Sequence, residues 1–273
     1  MFTAYLALLI LQAYHPLRHF NREHVNCALD FARQVNDPYL YHKTYQAVAL
    51  ICAQLGEFSI ALDCAQLAFA YFETQVDTRA PLEQALSAYA VANALHGLGR
   101  LDDALTWLET AAELFARVDY PLQNGIIARQ KGLLYIQQQM CEPALQWLEM
   151  ALREFTTRKA PFHIALTHHY LGMAYACQEQ WSKSEDHLRQ AIKLWNHNIS
   201  QRVYTERTLA LVEARSGYPE GALERLKALQ REQLPNTPFN RSVIADIARL
   251  VTALESGSGS VYETYAGVAA FTN

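Results

Sequence analysis

The side chains best suited to chemistry in this chain are its ten histidines and five cysteines. His15 and His19 stand four apart, the spacing that lets two residues on one helix face share a zinc ion. Pro16 lies between them and no H-E-x-x-H surrounds them, so a helical metal clamp is not expected there. His168 and His169 are adjacent, and adjacent side chains on a helix diverge by about a hundred degrees, too far to share an ion easily. Cys27, Cys52, Cys64, Cys141 and Cys177 are dispersed, with no C-x-x-C pair. They read as small core residues in a reducing compartment. Gly97 and Gly99 flank Leu98, but no strand precedes them and the third glycine of a dinucleotide loop is missing. There is no P-loop, no G-x-S-x-G, and no cysteine at catalytic spacing from a histidine. The expectation is therefore no cofactor, no metal and no enzymatic activity.

Composition narrows the remaining classes. The 273 residues are 51% hydrophobic, ample for a folded chain, while 11 glycines and 9 prolines are too few for an all-β fold with many tight turns. A formal net charge of −4, without a Lys/Arg run, points away from nucleic acid and from membrane surfaces as partners. Residues 1–11 are strongly apolar. They lack a basic leader and a small-residue cleavage site, and they are too short to span a bilayer. They read as a buried first helix of an intracellular, cytoplasmic protein.

The elements that must position any functional side chain come from a repeat. Residues 104–111 (ALTWLETA) and 144–151 (ALQWLEMA) lie forty apart and share six of eight positions. Small residues also recur in pairs twelve apart: Ala49/Ala61, Ala92/Ala104, Gly132/Ala144, Gly172/Ser184 and Ala210/Ala222. Such pairs mark close helix crossings, where a bulky side chain would hold the two backbones apart. Short turns sit between the partners, beginning at Gly56, Gly99, Gln139, Glu179 and Gly217. The pattern predicts helix, turn, helix in every unit. Six pairs are expected, at 2–36, 38–78, 81–118, 121–158, 161–197 and 200–232, followed by a capping helix at about 239–255 that covers the last core.

These units resemble the tetratricopeptide repeat, whose signature is W-x2-L-G-x2-Y followed by A-x3-F and a further small residue. The best match is His168-x2-Leu171-Gly172-x2-Tyr175, then Ser184, Leu188 and Ala191. No unit has the opening Trp. Lys131 and Glu213 stand where apolar residues are expected, and the period is about forty residues rather than the usual 34. The longer units resemble those of bacterial regulatory arrays, including peptide-pheromone sensors and sensor modules of transcription activators. The resemblance implies an all-α, right-handed superhelical solenoid of antiparallel helix pairs, with the first helix of each pair on the inner face. That geometry carries over to a stripe at i, i+4, i+7 on each first helix: Gln46, then Tyr89, Asn93 and His96, then Arg129 and Leu133, then His169 and Met173, then Arg207. An Asn or Gln can answer both the N–H and the C=O of an extended peptide, and an Arg can bind a carboxylate. The resemblance points to Asn93 as a grip on ligand backbone. Lys131 should either snorkel along its stem or face a carboxylate, and Trp107, Trp147 and Trp181 read as packing between helices.

The repeating stops at Glu255, so that 1–255 form the repeat domain. Residues 256–260 alternate Ser and Gly, which reads as an engineered flexible linker. Residues 261–273 are then a peptide tail and a candidate fused ligand. They offer Tyr262, Tyr265 and Phe271 as aromatic anchors, and Glu263 and the C-terminus as carboxylates. Tethering would hold such a weak ligand at roughly millimolar effective concentration, within one molecule or by exchange between molecules. The sequence reading is a non-catalytic scaffold that binds a peptide or protein segment resembling 261–273. The alternative is a ligand-sensing module of a larger regulator, taking a small molecule or a peptide.

Overall fold

A computed structural model describes residues 22–34, 37–76, 78–118, 120 and 122–256. The apolar residues 1–11, the His15/His19 pair and the tail from 257 onward, with Tyr262, Glu263, Tyr265 and Phe271, lie outside the described residues. Those described are all-helical, without strands, and divide into two compact units that meet between Pro121 and Leu122. The first unit contains α1 (Arg22–Gln34), α2 (Pro38–Gln54), α3 (Phe58–Glu73), α4 (Ala80–Gly97) and α5 (Leu101–Phe115). The second contains α6 (Gln123–Gln137), α7 (Cys141–Thr157), α8 (Pro161–Cys177), α9 (Trp181–Leu194), α10 (Ile199–Arg215), α11 (Pro219–Leu229) and α12 (Pro238–Glu255). The expected pairs from residue 38 onward are all present, and α1 lies where the second helix of the pair expected at 2–36 falls.

Among the described residues, one turn design joins the two helices of each complete pair. The residue that opens each turn has positive φ: Gly56, Gly99, Gln139, Glu179 and Gly217. The next N–H then reaches back to a carbonyl of the preceding helix, as in Glu57 N to Cys52 O at 2.8 Å, Met140 N to Tyr135 O at 2.9 Å and Tyr218 N to Glu213 O at 2.8 Å. This closes orphan carbonyls at each helix end. Helix starts are marked in the sequence too. The Asp37 carboxylate accepts from the N–H groups of Tyr39 and Leu40, and the Thr237 hydroxyl from that of Asn240.

The small-residue pairs lie at buried helix crossings. A Cβ added at Gly132 would sit 2.6 Å from Leu148 Cγ, and one at Gly172 would sit 2.6 Å from Leu188 Cγ. Ser184 occupies the matching small position and donates its hydroxyl to the Gly172 carbonyl at 2.7 Å. Leu148 and Leu188 are fully buried, each stabilising its crossing by about 1.5–3 kcal/mol of removed apolar surface. Within each unit, the first helices of successive pairs also touch: α2 with α4 in the first, and α6 with α8, α8 with α10 and α10 with α12 in the second. In the second unit α12 takes the place of a further first helix. Its Val243, Ile247, Leu250 and Val251 close the core formed with Leu209, Val212, Leu226 and Leu229.

The cysteines depart from their expected role. Cys52 and Cys64 are buried thiols, and burial pushes Cys64 up to about 12. Cys27 is exposed, whereas Cys141 and Cys177 form a disulfide with Cα atoms 5.8 Å apart. Their 36-residue separation runs from the start of one second helix to the end of the next first helix. Stacking repeats brings these two ends together, so dispersion along the sequence concealed a contact. The tryptophans pack between helices: Trp107 meets Phe69 edge-on at 4.9 Å, and the Lys131 ammonium lies 4.6 Å from the centre of the Trp147 ring. A cation on an aromatic face helps explain how Lys131 occupies a leucine position.

Candidate functional site

The predicted stripe separates into two kinds of residue. On α4, Tyr89, Asn93 and His96 all remain partly exposed, and their spacing puts them on one helix face. Leu86, one turn before Tyr89, is partly exposed as well, and Leu50 of the adjoining α2 is 47% exposed. Sequence reasoning left out Leu86. Its signal was only that it extends the same face by one turn toward the helix start.

The other polar positions of the stripe are built into contacts between successive first helices. Gln46 is buried on α2, where its Nε2 donates to the Glu83 carbonyl and to the Ser87 hydroxyl of α4, both at 3.0 Å. Its Oε1 accepts from Lys43 Nζ at 2.9 Å, and Lys43 also pairs with the Glu83 carboxylate. Arg129 of α6 donates to His163 Nδ1 of α8 at 2.8 Å. Burial, and then the Arg129 charge, hold His163 below the usual imidazole range, so that its Nδ1 is a neutral acceptor.

His169 of α8 is completely buried, stacks on Tyr204 with centroids 4.7 Å apart, and has its Nδ1 3.2 Å from Thr205 Oγ1 of α10. The Thr205 hydroxyl donates to the Gln201 carbonyl and accepts from Trp195 Nε1. Its one proton is thereby committed, which assigns the hydrogen in the His169–Thr205 contact to His169 Nδ1. Burial, and secondarily the Arg207 charge, push His169 down to about 3. Arg207 of α10, 2% exposed, pairs with Asp246 of α12 at 2.5 Å and lies over Tyr204. Leu133 and Met173 are buried among these layers.

On α2, α6, α8 and α10 one polar side chain thus fastens the helix to the next of its layer: Gln46, Arg129, His169 and Arg207. Partly exposed positions follow one residue later at Gln130 and Tyr170. One residue along a helix is a rotation of about a hundred degrees, enough to move a side chain from the seam between helices to the accessible surface.

The second unit also holds an open cleft of about 830 Å³ between α9, the end of α10 and the start of α11, lined by Trp181, Arg189, Glu213, Tyr218, Glu224 and Arg225. Its floor is Glu213, bound by Arg225 through two hydrogen bonds of 2.9 and 2.8 Å. Those bonds are the main reason the Arg225 guanidinium is held above its ordinary value. Between α8 and α9, His168 faces His187 with their Nδ1 atoms 2.9 Å apart, and burial followed by the His187 charge lowers His168 to about 4. Among the described residues, no group of three or more His, Cys, Asp or Glu is arranged to hold a metal ion. Among them, too, no helix is long and apolar enough to cross a membrane.

A family model described as Tetratricopeptide repeat matches residues 83–154. The fold is that of a tetratricopeptide-type helical array, similar over nearly the whole chain to solved Rap structures. The apo form of RapI superposes with a TM-score of 0.70 at 14% identity, covering 99% of this chain and 97% of that one. A Rap protein complexed with Competence and Sporulation Factor gives 0.70 at 16% identity, covering 97% and 72%. A Signal Transduction ATPase with Numerous Domains from Pyrococcus horikoshii, described as having a tetratricopeptide repeat sensor, gives 0.67 at 14% identity over 99% of this chain and 41% of that one. No curated protein matches the sequence.

Proposed function

We propose that this repeat array is a non-catalytic, cytoplasmic scaffold that holds an extended peptide segment against the first-helix face of its N-terminal unit. The observation that carries the proposal is the joint exposure of Tyr89, Asn93 and His96 on α4. The positions that match Tyr89 on the other first helices, Gln46, Arg129, His169 and Arg207, are buried within the array. Tyr89, Asn93 and His96 are the primary contacts, with Leu50 and Leu86 as apolar surface beside them. Gln46, Arg129, Leu133, His169, Met173 and Arg207 form the layer that holds the first helices in place. The Asn93 amide offers a donor and an acceptor to peptide backbone. The ligand is residues 261–273 or a segment like it, with Tyr262, Tyr265 and Phe271 as anchors and Glu263 as its charged group, bound within one molecule or exchanged between two. The Rap protein that was solved with Competence and Sporulation Factor supports the use of this architecture to hold a partner.

Calorimetry tests the reading. A synthetic 261–273 peptide titrated into a chain ending at Ser256 should bind saturably, one to one. Asn93→Ala should weaken it by about 1–3 kcal/mol, the cost of leaving peptide backbone unanswered. Absence of binding rejects the tail as ligand, and unchanged affinity in the Asn93 variant rejects the α4 face. A second reading is a regulatory one, a ligand-sensing module within a larger protein. It is supported by the match to only 41% of the ATPase described as having a repeat sensor. Under that reading the truncated chain binds its effector and is indifferent to the 261–273 peptide.

A further inference from the structure

We propose that Cys141 and Cys177 form a reversible thiol–disulfide site that fastens two consecutive repeats and exchanges with small thiols of the glutathione class. A joint between consecutive pairs recurs in the array. At three of the five turns the third residue, which begins a second helix, meets the end of the following first helix. At Phe58 and Gly97 the joint is an aromatic ring against a glycine, so close that an added Cβ would come within 2.1 Å of the ring. At Trp181 and Arg215 it is a guanidinium 5.5 Å from an indole centroid. At Cys141 and Cys177 the same joint is covalent. A non-covalent contact is sufficient at the other two joints, so the bond adds something beyond filling the space. Both cysteines are partly exposed, within reach of a small thiol. The Gln178 amide donates to the Glu142 carboxylate across the same joint at 2.8 Å, which keeps the two ends aligned when the bond is open.

The helix ends give the exchange a direction. Cys141 is the first residue of α7 and Cys177 the last of α8. Unpaired amides at a helix start favour negative charge, and unpaired carbonyls at a helix end oppose it. Cys141 is therefore the better leaving thiolate, and the incoming thiolate attacks Cys177. The bond between the two Sγ atoms breaks, its electron pair leaves on Cys141, and Cys177 carries the mixed disulfide. A second thiol attacks the small-molecule sulfur of that mixed disulfide and releases Cys177. The protein gains two electrons and two protons, and two thiols become one small-molecule disulfide. The reverse sequence closes the joint, with the Cys141 thiolate displacing the small thiol from Cys177.

The test uses the full chain equilibrated in glutathione buffers from reducing to oxidising, quenched with an alkylating reagent and mapped by peptide mass. The peptides holding Cys141 and Cys177 should be linked under oxidising conditions and both alkylated under reducing ones, without denaturant. Buried Cys52 and Cys64 serve as internal controls for unfolding. In the reduced wild type, Cys141 should alkylate about tenfold faster than Cys177, and Cys141→Ser should accumulate glutathione on Cys177. An unlinked pair at every ratio overturns the proposal. So does a link that yields only after unfolding, and faster alkylation at Cys177 overturns the assigned direction even if the serine variant fails to fold.

Discussion

Replacing Arg207 with leucine decides between a ligand-binding residue and a fastener of the array. In the structure Arg207 is 2% exposed and Asp246 is 7% exposed, and their ion pair is 2.5 Å long. Removing one partner of such a pair strands the other charge in a poorly solvated place, at about 3–5 kcal/mol. Asp246 keeps a second cation, Arg249, whose side chain is 66% exposed. That contact is solvent-screened and places the expected loss near the lower end, about 3 kcal/mol. Loss of the cation–π contact with Tyr204, 4.9 Å from the guanidinium carbon to the ring centroid, adds to it. The double variant Arg207→Leu/Asp246→Leu replaces the pair by apolar groups and should recover most of the loss, because the desolvation of both ions disappears with them. Urea unfolding followed by tryptophan fluorescence measures all three variants, with Trp195 buried close by as a reporter. The cycle should give a coupling of about 2–3 kcal/mol, little changed by salt, since buried pairs are poorly screened. A single-variant loss below about 1 kcal/mol, or additive effects in the cycle, would refute the reasoning. Arg207 would then not be a fastener of the array.

Three further outcomes follow from the same packing. Gly172→Ala and Gly132→Ala gain helix propensity of about 1 kcal/mol but press a methyl group against Leu188 and Leu148. A net loss of about 1–2 kcal/mol is expected in thermal unfolding. Gly221→Ala, with nothing within 4 Å of its added Cβ, should instead stabilise by up to about 1 kcal/mol. Reducing the Cys141–Cys177 bond, which closes a loop across 36 residues, should lower stability by about 4 kcal/mol on chain-entropy grounds, while a Cys141→Ser/Cys177→Ser variant should not respond to reductant. His169, held down to about 3 when folded, binds a proton near pH 6.5 when unfolded. The unfolded state therefore takes up more protons between those values, and stability should fall as pH drops through that window, by about 3 kcal/mol at pH 4. His169→Gln should remove one proton from that dependence, and an unchanged slope would contradict the assignment.

The fold was largely legible because the repeat imposes the same steric demand every time. Two helices that cross closely need a small residue on each, which is why Gly172 and Ser184, twelve apart, mark a crossing in the sequence alone. The turns were legible for a related reason: each has a left-handed residue, and three of the five are glycine. The candidate site was legible only in part. Tyr89, Asn93 and His96 came out on an accessible face, but Gln46, Arg129, His169 and Arg207 occupy the seam to the next first helix. A stripe at i, i+4, i+7 specifies direction on one helix only, and whether a neighbour covers that direction depends on how the helices stack. Polarity misled as well, since a polar residue at the seam finds a buried partner one repeat away that no local pattern reveals. The Cys141–Cys177 bond was missed on the same ground, its partners being neighbours only after stacking.

Departures from the repeat signature follow a pairing rule across the two helices of a unit. The signature tyrosine at Tyr175 stacks on His187, twelve residues later, with ring centroids 5.2 Å apart. At the matching place in the next repeat stand Glu213 and Arg225, also twelve apart, joined by two charge-assisted hydrogen bonds. A lone carboxylate at Glu213, which is 8% exposed, would carry a heavy desolvation cost, which Arg225 offsets, with Arg189 at 3.5 Å as a second, weaker partner. Lys131 follows the same logic with Trp147: the charge replaces a leucine, and an aromatic face on the partner helix receives it. What the repeat conserves at these places is a matched contact between two helices, not a residue type. A side chain that looks foreign to the motif is therefore best judged together with its cross-helix partner, and only the foreign residues that lack one are left as candidates for binding.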